Sequence, residues 1–229
     1  MSNTAPVSIN GWPIYYEKIG SGPNILLMIP GAIGTGSTDY SDQLSGPYAF
    51  DHDQFTLIAI ELPVNQLFLL YKVLKLIYLF IYYQTLGYEK FQVFGWSEGS
   101  RVALVLAADY PDVVTDLVVL ALPTYATEVH NKNMLMTKNI DNWDKTMIDR
   151  YLTVYKDRAE LQNLWRRHII FVDNFPQLFP KGICYNKYDS IKCRILLLHG
   201  DRVRVWDPLV QLEHVEHLQA NLPQTKVHR

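Results

Sequence analysis

The stretch of this chain best suited to chemistry is Gly95-Trp96-Ser97-Glu98-Gly99. A serine hydroxyl is a weak nucleophile until it is exposed, oriented and given somewhere for negative charge to develop. A Gly-x-Ser-x-Gly pattern meets the first need when it joins a strand to a helix. The turn is then too sharp for side chains at the two glycines, and the strained backbone projects the hydroxyl from the top of the sheet. Three fixed positions arise by chance in roughly one chain of this length in ten, so context decides. Here the motif follows an apolar run at 91–94, read as a strand, and opens residues 97–109, read as a helix stopped at Tyr110-Pro111. Ser97 is therefore the predicted nucleophile; the alternative is an ordinary helix N-cap.

Such a nucleophile needs N–H donors aimed at a developing oxyanion. The backbone N–H of Glu98 is one candidate. The second is expected from Pro30-Gly31-Ala32-Ile33-Gly34, with the Ala32 N–H preferred and that of Ile33 next, Ile33 being also a substrate contact. A plain glycine-rich turn is the competing reading of that loop.

The surrounding pattern supplies elements to hold these groups. Residues 25–29, 55–60, 91–94 and 195–198 are compact apolar runs read as buried strands, and 14–16 as an early strand ending at the turn Gly20-Ser21-Gly22-Pro23. Residues 113–122 fit a short helix-to-strand passage. Strands alternating with helical patterns predict an α/β fold of three layers around a mostly parallel sheet. Between Pro123 and Ser190 charged and aromatic helical patterns replace the apolar runs. This predicts a core of residues 1–122 and 191–229 with a helical cap at 123–190, inserted over the carboxyl edge of the sheet where ligands bind.

The loop at 30–36 and the motif at 95–99 resemble the α/β-hydrolase superfamily. So do Asn10-Gly11 with Ile14-Tyr15-Tyr16, Gly36-Ser37-Thr38-Asp39-Tyr40, Cys193 with His199-Gly200, and Asp207-Pro208-Leu209-Val210. The resemblance covers about three quarters of the chain. It implies a serine esterase acting on small carboxylic esters, amino-acid esters above all, with no metal or organic cofactor. On that reading the Glu98 carboxylate would pair with the α-ammonium of an aminoacyl ester beside Ser97. A solvated glutamate at a helix start, favoured by the helix dipole, is the plainer alternative.

Two departures from the family pattern stand out. The triad acid is expected shortly after His199-Gly200, where Val203 occupies the usual spacing; Asp207 is the candidate by local match and Asp201 by nearness. The triad histidine is expected beyond a final strand starting near Thr225, and no histidine matches that position: His199, His214, His217 and His228 all fall elsewhere. Loss of the base costs about six orders of magnitude in turnover, so the chain as written is expected to be truncated, missing its last strand and helix, and nearly inactive. A non-catalytic binding protein and a nonfunctional gene product are the alternatives. Residues 62–84 form the second departure, being apolar nearly all round except for Lys72 and Lys75. Two central lysines would each cost about 2.5–3.5 kcal/mol in a bilayer, which argues against a membrane span. A deeply packed helix and sequence foreign to the fold are the other readings.

Composition closes off further classes. Lys and Arg number 21 against 23 Asp and Glu, which excludes a nucleic-acid binder held by phosphate contacts. The hydrophobic fraction of 48% excludes intrinsic disorder. Two cysteines, Cys184 and Cys193, cannot build a disulfide framework or a multi-cysteine metal site. No basic and apolar leader is visible in residues 1–6, so no secretory signal is expected, and an intracellular location, cytoplasmic or mitochondrial, is the expectation.

Overall fold

The computed structural model describes residues 6–9, 12–61, 87–200 and 210–228. Five central strands are built from branched apolar residues with few charges: β4 (Asn24–Ile29), β5 (Phe55–Ile60), β6 (Phe91–Trp96), β7 (Val114–Leu120) and β8 (Arg194–Leu198). They pair in parallel in the order β5-β4-β6-β7-β8. The antiparallel β3 (Tyr16–Ile19) closes one edge against β5, and β9 (Thr225–His228) closes the other in parallel with β8. A separate hairpin pairs β1 (Val7–Ile9) with β2 (Trp12–Ile14).

The period-2 alternation of strand side chains divides the core into two layers. Leu27 and Ile29 of β4 face one cluster with Ile58 of β5, whereas Leu26 and Met28 face another with Leu57 and Ala59. Both faces of the sheet are thus covered. On one side lies α3 (Glu98–Asp109), buried at every position but its last. On the other lie α1 (Gly36–Asp39) and α2 (Ser41–Leu44), which contribute Tyr40 between them and Leu44.

Between β7 and β8 come α4 (Glu128–Met136), α5 (Lys145–Tyr151) and α6 (Arg158–Leu178). Helix α6 starts where the Asp157 side chain accepts the Glu160 N–H, and buries Leu161, Trp165, His168, Ile169, Val172 and Phe175 at helical spacing. Helix α7 (Leu212–Asn221) then leads into β9.

Three expectations change in detail. The early strand expected over 14–16 is two strands, β2 and β3, because Tyr15 turns outward between them. Residues 114–120 are strand throughout, with no preceding helix, since Val114, Leu117 and Val119 alternate into the core. The strand expected to be missing at the end of the chain is formed over Thr225–His228, where Thr225 pairs with Ile195 and His228 with Leu198. The apolar segment 62–84 lies outside the described residues, and no helix among the described residues is long and apolar enough to cross a membrane.

Candidate active site

Ser97 stands at the junction of β6 and α3 with φ 53° and ψ −115°, in a region that non-glycine residues rarely occupy. The strain is held from both sides. Its N–H donates to the Leu120 carbonyl at 2.9 Å, and its carbonyl accepts the Ser100 N–H at 3.0 Å. Although Ser97 occupies the N-cap position, its side chain makes no capping hydrogen bond, so the hydroxyl is not spent on the helix. Ser100 ties the turn down instead, donating to the carbonyls of Gly95 at 2.7 Å and Leu120 at 2.9 Å. The flanking glycines are dictated by close approach. A Cβ on Gly95 would lie 2.4 Å from the Gly99 carbonyl oxygen, and one on Gly99 would lie 2.1 Å from that of Ile29.

Ser97 lines a cavity of about 450 Å³ at the carboxyl end of the sheet. Gly31, Ala32 and Ile33 form the wall on the β4 side, while Met134, Arg150 and Trp165 come from the helices between β7 and β8. Among the described residues the N–H groups of Ala32 and Ile33 have no acceptor, and the Glu98 N–H is the first of its helix, without a carbonyl four residues back in the helix. Both sequence-derived donor positions therefore keep a free N–H, one next to Ser97 and one on the cavity wall.

The Glu98 side chain does something other than expected. It is 2% exposed, is not part of the cavity wall, and its Oε2 takes a 2.6 Å bond from Arg101 Nη1, itself 2% exposed. Arg101 also donates from Nε to the Pro123 carbonyl at 2.9 Å and stacks its guanidinium 4.2 Å over the Phe175 ring. The carboxylate expected to meet a substrate ammonium is thus committed to a buried cation that fastens α3 to the segment after β7 and to α6. Its Oε1 is enclosed without a hydrogen-bond partner.

Among the described residues the acidic groups on the wall are Asp39 and Asp144. Burial raises the Asp39 carboxyl to about 6, although the Gly31 N–H and the Thr38 hydroxyl both donate to it. The wall also holds one histidine that sequence reading missed, His168. Burial, reinforced by the nearby Arg101 charge, holds it neutral down to about pH 3. Its place on the inner face of α6, three residues after Trp165, was the available signal.

The expected acids Asp207 and Asp201 lie outside the described residues. His214, expected to be solvated or partly packed, is buried, with Nδ1 3.1 Å from Thr124 Oγ1 and its ring against Tyr125. The His199 N–H donates to the His228 carbonyl at 3.0 Å, and His228 is exposed. None of these four histidines, His217 included, lines the cavity. Among the described residues no cluster of His, Cys, Asp or Glu could hold a metal ion, and Cys184 and Cys193 are buried free thiols.

The strand order, the elbow at Ser97 and the cavity at the carboxyl edge are those of the α/β-hydrolase superfamily, whose fold this chain has. An epoxide hydrolase from Bacillus megaterium, in a point-mutant form, superposes with a TM-score of 0.72 over 98% of this chain and 90% of its own, at 13% identity. A meta-cleavage product hydrolase, CumD, gives 0.64 over 98% and 89%, at 20% identity. In sequence the chain resembles serine hydrolase BPHL. The Mus musculus protein is 24% identical over an alignment of 247 positions, covering 98% of this chain and 77% of the relative. The Homo sapiens protein is 23% identical over 244, with the same shares covered. No protein-family model matches the chain.

Proposed function

We propose that this chain is a serine hydrolase of carboxylic esters in which Ser97 attacks the ester carbonyl and the N–H groups of Ala32 and Glu98 receive the oxyanion. The observation that carries the reading is the strained, uncapped Ser97 on the wall of a half-open cavity whose wall also includes Ala32, with an N–H that has no acceptor among the described residues. The likeness to serine hydrolase BPHL supports the same class. In the attack the Oγ–carbonyl carbon bond forms as the hydroxyl proton departs, the carbonyl oxygen takes the charge, and collapse of the tetrahedral adduct breaks the bond to the alkoxy oxygen, which takes up a proton and leaves as the alcohol. Water then releases the acid. On this reading residues 123–190 act as the cap that shapes the substrate side of the cavity, and Asp207 is the acid of a triad whose histidine no residue of this sequence matches, so turnover is expected to be weak.

Esters of α-amino acids are the finer assignment. Among the described residues Asp39 and Asp144, rather than the buried Glu98, are the carboxylates on the cavity wall that could pair with an α-ammonium. Hydrolysis of a p-nitrophenyl ester that is abolished in Ser97→Ala supports the esterase reading, and equal rates for the two proteins refute it. An aminoacyl ester should be cleaved faster than its N-acetyl form, and Asp39→Asn should erase that preference while Glu98→Gln keeps it. Equal rates for the two esters with the native chain would refute the ammonium contact.

A second reading, a pocket that binds without turnover, is favoured by one observation. The histidine on the wall, His168, is too weak a base at about pKa 3 to activate Ser97. Tight ester binding with no Ser97-dependent product would select it.

A further inference from the structure

The loop after β4 is held peptide by peptide. The Gly31 N–H donates to Asp39 Oδ2 at 2.8 Å, and the Gly31 carbonyl accepts the Gly34 N–H at 3.1 Å. The N–H and C=O of a trans peptide point in opposite directions, so spending the Gly31 carbonyl on the turn directs the Ala32 N–H away from it. Two peptides further on, the Ile33 carbonyl accepts the hydroxyl of Tyr155 at 2.5 Å. That tyrosine belongs to the connection between α5 and α6. Helix α5 supplies Met147, Arg150 and Tyr151 to the cavity wall, and Arg150 reaches the Thr38 carbonyl at 3.4 Å. Burial raises the Tyr155 hydroxyl well above its ordinary range, so it stays protonated and donates throughout the working pH range.

From this geometry we infer that Tyr155 is a positioning residue: by holding the Ile33 carbonyl it fixes the loop whose Ala32 and Ile33 N–H groups serve the oxyanion, with Asp39 holding the other end. The inference rests on the esterase reading of Ser97. Without the Tyr155 hydroxyl, the Ile33–Gly34 peptide keeps only the Gly34 N–H bond to the Gly31 carbonyl and can tilt about it. Its carbonyl can then bring partial negative charge to the place where the oxyanion forms. The α5–α6 connection thereby couples the substrate wall to the catalytic loop, although Tyr155 itself touches no reacting atom.

The test is the rate at which a fluorophosphonate modifies the full chain. In that reaction the Ser97 Oγ–P bond forms as the P–F bond breaks, fluoride and the serine proton leave, and the phosphoryl oxygen occupies the oxyanion site. The probe carries no ammonium, so it reports on the loop alone. Tyr155→Phe should label about 10-fold more slowly, or worse, given that loss of alignment by 1 Å costs about 100-fold. Its ester KM should stay within about twofold while kcat falls by the same factor as labelling. Asp39→Ala, which leaves the Gly31 N–H without its acceptor, should also be slowed. Thr153→Ala removes a hydroxyl bond to the Arg150 carbonyl in the same connection without touching the loop, and should label at the native rate. A native labelling rate in Tyr155→Phe, or equal slowing in Thr153→Ala, overturns the inference. Native protein whose labelling survives Ser97→Ala overturns the esterase reading and this inference with it, which keeps the two failures distinct.

Discussion

Gly99→Ala is the perturbation whose consequence the structure fixes most tightly. The new Cβ would lie 2.1 Å from the Ile29 carbonyl oxygen and 2.4 Å from that of Pro30. Both are backbone atoms, so no rotamer change relieves the clash. Reaching ordinary contact at about 3.5 Å requires the start of α3 to separate from the end of β4 by about 1.4 Å. Strands β4 and β6 are paired neighbours, Ile29 opposite Gly95, so the shift strains the ladder and moves Ser97 relative to Ala32 together. Overpacking of this kind costs about 1–3 kcal/mol or more, and a misalignment of 1 Å costs about 100-fold in rate. The assay pairs the initial rate of fluorophosphonate labelling with the urea midpoint. Gly87→Ala is the control: its Cβ meets nothing within 4 Å, but its φ of +69° is unfavourable for alanine. It should lose about 1–2 kcal/mol of stability and no labelling rate. Gly99→Ala with a native rate and a native midpoint would refute the reasoning.

Three further outcomes follow from the same geometry. Glu98→Gln strands the buried Arg101 charge and should cost about 3–5 kcal/mol by urea unfolding, whereas the double change Glu98→Leu with Arg101→Met should recover most of it. His168 and His214, both lowered by burial from 6.5 to about 3, bind fewer protons folded than unfolded. Their contribution is therefore complete above pH 6.5 and is lost as pH falls toward 3, by about 2 kcal/mol each between pH 7 and pH 5, which a urea series over that range measures. Asp39 has the opposite sign, since its carboxyl is raised from 3.8 to about 6: ionisation in the folded chain is penalised as pH rises through that window. Asp39→Asn should consequently gain stability relative to the native chain at pH 8 but not at pH 3.5, by the same measurement.

The strands and the elbow were legible in the sequence because their signals are local. Apolar runs at 55–60 and 195–198 have few competing readings, and a glycine on either side of Ser97 is demanded by contacts only a few residues away in the chain or across one strand pairing. The boundaries that shifted lie where local pattern is ambiguous: Val113 to Leu122 holds two apolar patches that suit a helix as well as a strand, and pairing with β6 and β8 decides for strand. The site's polar furniture was less legible. Glu98 and Arg101 are three apart on a helix, a spacing usually read as an exposed pair, and only the packing of Phe175 over the guanidinium makes them interior. Tyr155 meets Ile33 across 122 residues, a contact that no periodicity encodes. His168 looked like one more position on an amphipathic helix, and it is the cavity beside it that sets it apart.

The claim on which the account depends is that the Ser97 hydroxyl is an accessible nucleophile facing the cavity. Peptide mapping by mass spectrometry after fluorophosphonate treatment tests it directly. A single phosphonyl adduct on the peptide carrying Ser97, absent from Ser97→Ala, is the result expected. No adduct, or one carried by a different residue, would contradict it.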